Sequence, residues 1–135
     1  MTNSFAKDII VRTEKTKYAT SIDTGSHKWS ADESVEAGGT NLGPAPTQIL
    51  VAALGSCTSI TIRMYADRKE MPLDAVEVSL NLEKPTPDQT KIIRNIKLIG
   101  DLTPAQRERL LQVANACPVH KILSGTINIE TGLSD

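Results

Sequence analysis

A chain of 135 residues, 39% hydrophobic but only 3% aromatic, fits a single domain spanning 1–135 whose core is made of Ile, Leu, Val and Ala rather than rings. Fifteen Lys and Arg against sixteen Asp and Glu leave a formal charge of −1, and no basic stripe interleaves with aromatics, which argues against a nucleic-acid partner. Met1 to Val11 lacks the continuous apolar stretch of a signal peptide or membrane span, so the expectation is a cytoplasmic protein with no membrane partner, in which two cysteines are free thiols, a metal site or a catalytic couple rather than a structural disulfide.

In chain order, Asp8 to Arg12, Lys17 to Ile22 and His27 to Ser30 read as short strands separated by polar residues and by Asp23-Thr24-Gly25, a meander or pair of hairpins. Asp32 to Pro46 carries Gly38, Gly39, Gly43, Pro44 and Pro46, too many breakers for regular structure. From Thr47 the residues Ile49, Leu50, Ala53, Leu54, Cys57, Ile60, Thr61 and Met64 recur at helical steps, with Pro46 suited to the first turn. Much of the other side is also small or apolar, which predicts a central, buried helix with Cys57 on its apolar stripe.

Strict alternation over Val76 to Leu82 and again over Ile92 to Leu98, with Lys84 to Asp88 as the turn, predicts a hairpin. Thr103-Pro104-Ala105-Gln106 is a capping-box start for a helix to about Ala116. Cys117 stands just before Pro118, where a short helix can begin, and Gly125 ends it. Thr126 to Thr131 alternates as a last strand. Strands, helix, strands, helix, strand make the class α+β.

A thiol is a nucleophile only as thiolate, and helix starts and cations favour that form. Cys117, ahead of Pro118 with His120 and Lys121 following, has the better local case; Cys57 lies inside a helix and needs a cation from elsewhere. Three readings stay open: a redox pair cycling through sulfenic acid and disulfide, a metal held by Cys57, Cys117 and His120, and two core thiols in a binding module. His27 reads as a surface histidine, and Gly38-Gly39 lacks the lysine and hydroxyl that a phosphate loop requires.

Two stretches resemble a known family, the OsmC/Ohr thiol-dependent peroxidases, and especially their OsmC-like branch. They are Gly39-Thr40-Asn41 with Pro44 through Thr58, ending in Leu54-Gly55-Ser56-Cys57-Thr58, and Cys117-Pro118-Val119-His120-Lys121-Ile122-Leu123-Ser124-Gly125. The resemblance implies an OsmC-like fold, an intertwined homodimer whose antiparallel sheets wrap long central helices, with active sites at the subunit interface. It implies reduction of organic hydroperoxides or hydrogen peroxide, with Cys57 peroxidatic and Cys117 resolving, the reverse of the local dipole argument. It implies no metal, flavin, haem or nucleotide cofactor, and a small dithiol or lipoyl-bearing protein as reductant.

The family also uses an arginine from the early strands and a glutamate near the start of the central helix. Arg12 is the only arginine before that helix and takes the first role. Thr47 and Gln48 stand where the glutamate is usual, and neither supplies a negative charge; Gln48 can still hydrogen-bond, and Glu33 or Glu36 can fold in from the preceding loop. With Trp29, these are the expected substrate contacts. The alternative is a catalytically silent relative that binds a hydrophobic small molecule at the same interface.

Overall fold

The computed structural model describes residues 4–134, which divide into two compact units, one up to Leu50 and one from Val51. In the first, β1 (Ile10–Thr13), β2 (Thr20–Asp23) and β3 (Lys28–Ala31) form an antiparallel meander, with Ile10 opposite Asp23 and Ile22 opposite Trp29. These strands are shorter than the sequence pattern suggests because Thr16 to Tyr18 and Gly25 to His27 are spent on turns. Ala31 and Asp32 at the end of β3 are buried, as is Gly39 in the loop that follows.

The breaker-rich segment after β3 is ordered by one carboxylate. Asp32, 2% exposed, accepts from the Glu33 amide at 2.7 Å, the Thr40 hydroxyl at 2.6 Å and the Leu42 amide at 3.1 Å. Those donors, with Thr40 the strongest, lower its pKa from 3.8 to about 2. Inside the loop a 3-10 turn at Val35–Ala37 is capped by Ser34 and closed by Gly38 at φ 96. Gly39 is required by space: a Cβ there would lie 2.2 Å from the Glu33 carbonyl oxygen.

Helix α1 (Pro46–Arg68) starts with proline in its first turn and Gln48 Oε1 accepting the Ala45 amide at 2.9 Å. Glu70 at φ 54 stops it. Among the described residues α1 is the one helix long and apolar enough to cross a membrane, yet its inner face packs in a protein core. Leu54, Gly55, Thr58, Ile62 and Ala66 are buried. The expectation of a helix buried all round is corrected: Leu50 (43%), Ile60 (53%) and Met64 (65%) remain exposed, because the second unit covers only one side.

That cover is a long hairpin, β4 (Leu73–Thr86) and β5 (Gln89–Gly100), with Val78 opposite Ile96 and Leu80 opposite Arg94. It runs further than the alternation suggests: the strands continue through Pro85 after a register shift between Glu83 and Thr86, where a proline is tolerated. Gly55 admits the hairpin, since a Cβ there would meet Leu80 Cδ1 at 2.6 Å. Helix α2 (Pro104–Val113) begins with the expected capping box between Thr103 and Gln106, then tightens into a 3-10 turn at Ala114–Ala116 before α3 (Pro118–Ser124). Ile62, Ala66, Leu73, Leu102, Leu110, Val113 and Ala114 make one core.

The expected final strand is absent. Thr126 to Thr131 carries no strand pairing, and Ile127 (54%), Ile129 (81%) and Leu133 (103%) point to solvent. Alternation marks a segment suited to pair, but a strand also needs an edge, and within the described residues none accepts it.

Candidate active site

Two elements of the second unit each contribute one thiol. α1 places Cys57 one residue before the buried Thr58, and the 3-10 turn after α2 delivers Cys117 to the start of α3. Both are free; Cys57 is half-buried and Cys117 wholly buried. Although sixty positions apart, the two thiols are near enough to influence each other's ionisation. A core between α1 and α2 explains the meeting: Ile62, one turn beyond Thr58, packs in the same cluster as Leu110, Val113 and Ala114.

The surroundings divide the pair's proton unequally. The His120 amide donates to Cys117 Sγ at 3.5 Å, and the Val119 amide favours the thiolate form of both. Burial works against the Cys117 thiolate, yet hydrogen bonds from Cys57, the His120 amide, Thr58 and the Val119 amide outweigh it and bring this thiol below its ordinary range. Burial, and then the neighbouring Cys117 sulfur, push the Cys57 thiol up despite help from Val119 and Thr61.

The strongest cation of this neighbourhood was missed by motif reading. Arg94 on β5 donates from Nη1 to Thr58 Oγ1 at 3.0 Å and from Nη2 to Asn115 Oδ1 at 2.9 Å, tying the hairpin to both cysteine-bearing segments. A signal existed, since Arg94 interrupts the row Ile92, Ile96, Leu98 on one face of a strand. An open cavity of about 400 Å3 lies beside it, lined by Leu54, Ile92, Arg94, His120 and Leu123 among others.

The other expected site residues have these places. Arg12 is on β1, exposed and paired with Glu14 at 2.9 Å. Trp29 is on β3 and 41% exposed. Thr47 is exposed in the first turn of α1, and Gln48 spends its carbonyl on the Ala45 amide. The loop acids Glu33 and Glu36 belong to the first unit with them. Among the described residues no three His, Cys, Asp or Glu side chains cluster as metal ligands.

The chain is α+β, with one free thiol on a long helix and the other at the start of a short one. The sequence model of the OsmC-like protein family matches residues 39–132, and the chain belongs to that family. No curated protein matches the sequence. Among solved structures, the chain is similar to an OsmC-like protein from Mycoplasma pneumoniae, with TM-score 0.75, 15% identity and coverage of 87% of this chain and 86% of that one. It is similar also to the organic hydroperoxide resistance protein OhrB of Bacillus subtilis, with TM-score 0.62, 22% identity and coverage of 90% and 92%. A third likeness is to an organic hydroperoxide resistance protein OsmC from Legionella pneumophila, with TM-score 0.63, 19% identity and coverage of 90% and 93%. At these identities the likeness is one of fold.

Proposed function

We propose that this chain is a thiol-dependent peroxidase that reduces organic hydroperoxides, and hydrogen peroxide, through a two-cysteine cycle. One observation carries the reading: two free thiols near enough to influence each other's ionisation, one half-buried and one wholly buried. Cys57 is the sulfur a peroxide can approach. Its thiolate attacks the terminal peroxide oxygen, the O–O bond breaks, the alcohol leaves with a proton, and Cys57 becomes a sulfenic acid. Cys117 then attacks that sulfur; the S–O bond breaks, water leaves with a second proton, and the disulfide forms. An external dithiol, either a small molecule or a lipoyl-bearing protein, takes the oxidation and restores both thiols.

Membership of the family and the names of two fold neighbours, which refer to hydroperoxide resistance, support the same reaction. Arg12 is the proposed assisting cation from the early strands, and Gln48, Thr47 and Trp29 are the proposed substrate contacts. For Arg12 to assist, it must exchange its exposed partner Glu14. The active form is proposed to be a homodimer in the cytoplasm, one domain per chain. The uncovered apolar face of α1 and the unpaired alternating segment at 126–131 favour a second copy as cover.

A second reading has its own support. An apolar cavity of about 530 Å3 in the first unit, lined by Val11, Tyr18, Ile22, Ala31, Pro46 and Ile49 among others, suits a hydrophobic small molecule in a catalytically silent relative. Consumption of an organic hydroperoxide in the presence of a dithiol decides between them. Peroxidase activity requires turnover by the unaltered protein, its loss in Cys57→Ser, and a stalled sulfenic acid in Cys117→Ser. A folded, reduced protein that consumes no peroxide leaves the binding reading.

A further inference from the structure

Arg94 is held in place by neutral groups, and its charge is left uncompensated. It shares a face of β5 with Thr90 and Ile92 and is half-buried. A guanidinium carries five N–H donors. Nη1 donates to Thr58 Oγ1 at 3.0 Å and to the Ala114 carbonyl at 3.5 Å, and Nη2 donates to Asn115 Oδ1 at 2.9 Å. Those bonds fix the plane of the group, and all three acceptors are uncharged. Left over are the Nε–H and one N–H of Nη2, on the two nitrogens that share one edge of the fork. Among the described residues no carboxylate pairs with Arg94; the ion pairs there join Arg12 to Glu14, Lys28 to Asp23 and Arg63 to Asp67.

The open cavity of about 400 Å3 that Arg94 lines lies wholly within the second unit. Leu54 of α1, Ile92 of β5 and Leu123 of α3 give it apolar walls, and among the described residues no acidic side chain lines it. Thr90 Oγ1 accepts from Lys84 Nζ at 3.2 Å, which leaves its own proton to donate, and the His120 ring brings a further N–H. A fixed cation with two donors unused along one edge, in a cavity with apolar walls, is complementary to a planar anion on an apolar body. We propose that this cavity binds a monocarboxylate carrying a short aliphatic or aromatic group. Its two oxygens sit on Nε and Nη2 of Arg94, its body rests against Leu54, Ile92 and Leu123, and Thr90 and His120 complete the polar rim. Neither cysteine lines the cavity, and the site does not rest on the peroxidase reading.

Calorimetric titration of the reduced protein at neutral pH with hexanoate, and with its neutral isostere hexanamide, tests this without peroxide. Hexanoate is expected to bind and to shift the Arg94 Nε–H resonance in the nuclear magnetic resonance spectrum. Hexanamide, which cannot pair with the guanidinium, is expected to bind at least about tenfold more weakly. The same loss is expected for acetate, which lacks the apolar body, and for inorganic phosphate, which the apolar walls exclude. Arg94→Gln should lose at least about tenfold in hexanoate affinity and Arg94→Lys should fall between, since an ammonium offers no planar fork. Because Arg94 ties its strand to both cysteine-bearing segments, Leu123→Asp is the companion variant: it leaves those bonds in place, sets a like charge in the cavity and should abolish hexanoate binding. Circular dichroism shows which variants are folded. No binding of hexanoate at millimolar concentration, equal affinity for hexanamide or phosphate, or unchanged affinity in folded Arg94→Gln or Leu123→Asp overturns the proposal. Should both variants fail to fold, the resonance shift and the ratio of hexanoate to hexanamide affinity in the unaltered protein decide.

Discussion

Leu110→Ala probes the packing that brings the two sulfurs together. Leu110 on α2 is wholly buried and shares its cluster with Ile62 and Ala66 of α1 and with Leu73, Leu102, Val113 and Ala114. Truncation removes the transfer energy of the lost carbons and leaves a cavity, because residues from helix, strand and loop surround it and cannot collapse together. The expected loss is about 3 kcal/mol, within the range for buried leucines. For a domain of this length that corresponds to a fall in Tm of roughly 10 °C. Urea denaturation at fixed protein concentration reads the first quantity and calorimetry the second, with exposed Glu108→Ala on the same helix as the control, expected within about 0.5 kcal/mol of the unaltered protein. Equal midpoints for Leu110→Ala and Glu108→Ala would refute an α1 to α2 core.

Acid should loosen the loop after β3. Asp32 has a folded pKa of about 2 against an ordinary 3.8, so its contribution is complete above the higher value and disappears as pH falls towards the lower. Fluorescence of Trp29, the chain's single tryptophan, should report the change between those values, and Asp32→Asn should abolish that dependence; an unchanged acid transition in Asp32→Asn contradicts the assignment. Sedimentation should show a dimer for the unaltered chain, and truncation after Gly125, which removes Ile127, Ile129 and Leu133, should raise its dissociation constant at least tenfold. A monomer at micromolar concentration contradicts the proposed assembly.

Much of this architecture was legible because its signals are local. The Thr103 to Gln106 capping box, the helical spacing from Ile49 to Met64 and the alternation in Val76 to Leu82 each state an element on their own terms. The pairing of Cys57 with Cys117 was one of three open readings of the residues, and the resemblance chose among them, because no periodicity relates positions sixty residues apart. Local dipole reasoning favoured Cys117 as the more easily ionised thiol. Accessibility, which favours Cys57 as the attacking sulfur, depends on tertiary packing that the sequence does not display. Thr126 to Thr131 failed for the opposite reason: its pattern is right for a strand, but pairing is a property of two segments, and among the described residues none pairs with it. Arg94 was read as part of an alternating strand; the mismatch of a guanidinium in an apolar row was the available signal that it has a buried partner.

The most direct test of the account is to give the reduced protein one equivalent of an organic hydroperoxide and to read intact mass and linked peptides. The account expects the loss of two hydrogens and a disulfide joining Cys57 to Cys117, reversed by a dithiol. Two unmodified thiols, or a sulfinic acid on one cysteine with no link between them, would contradict it.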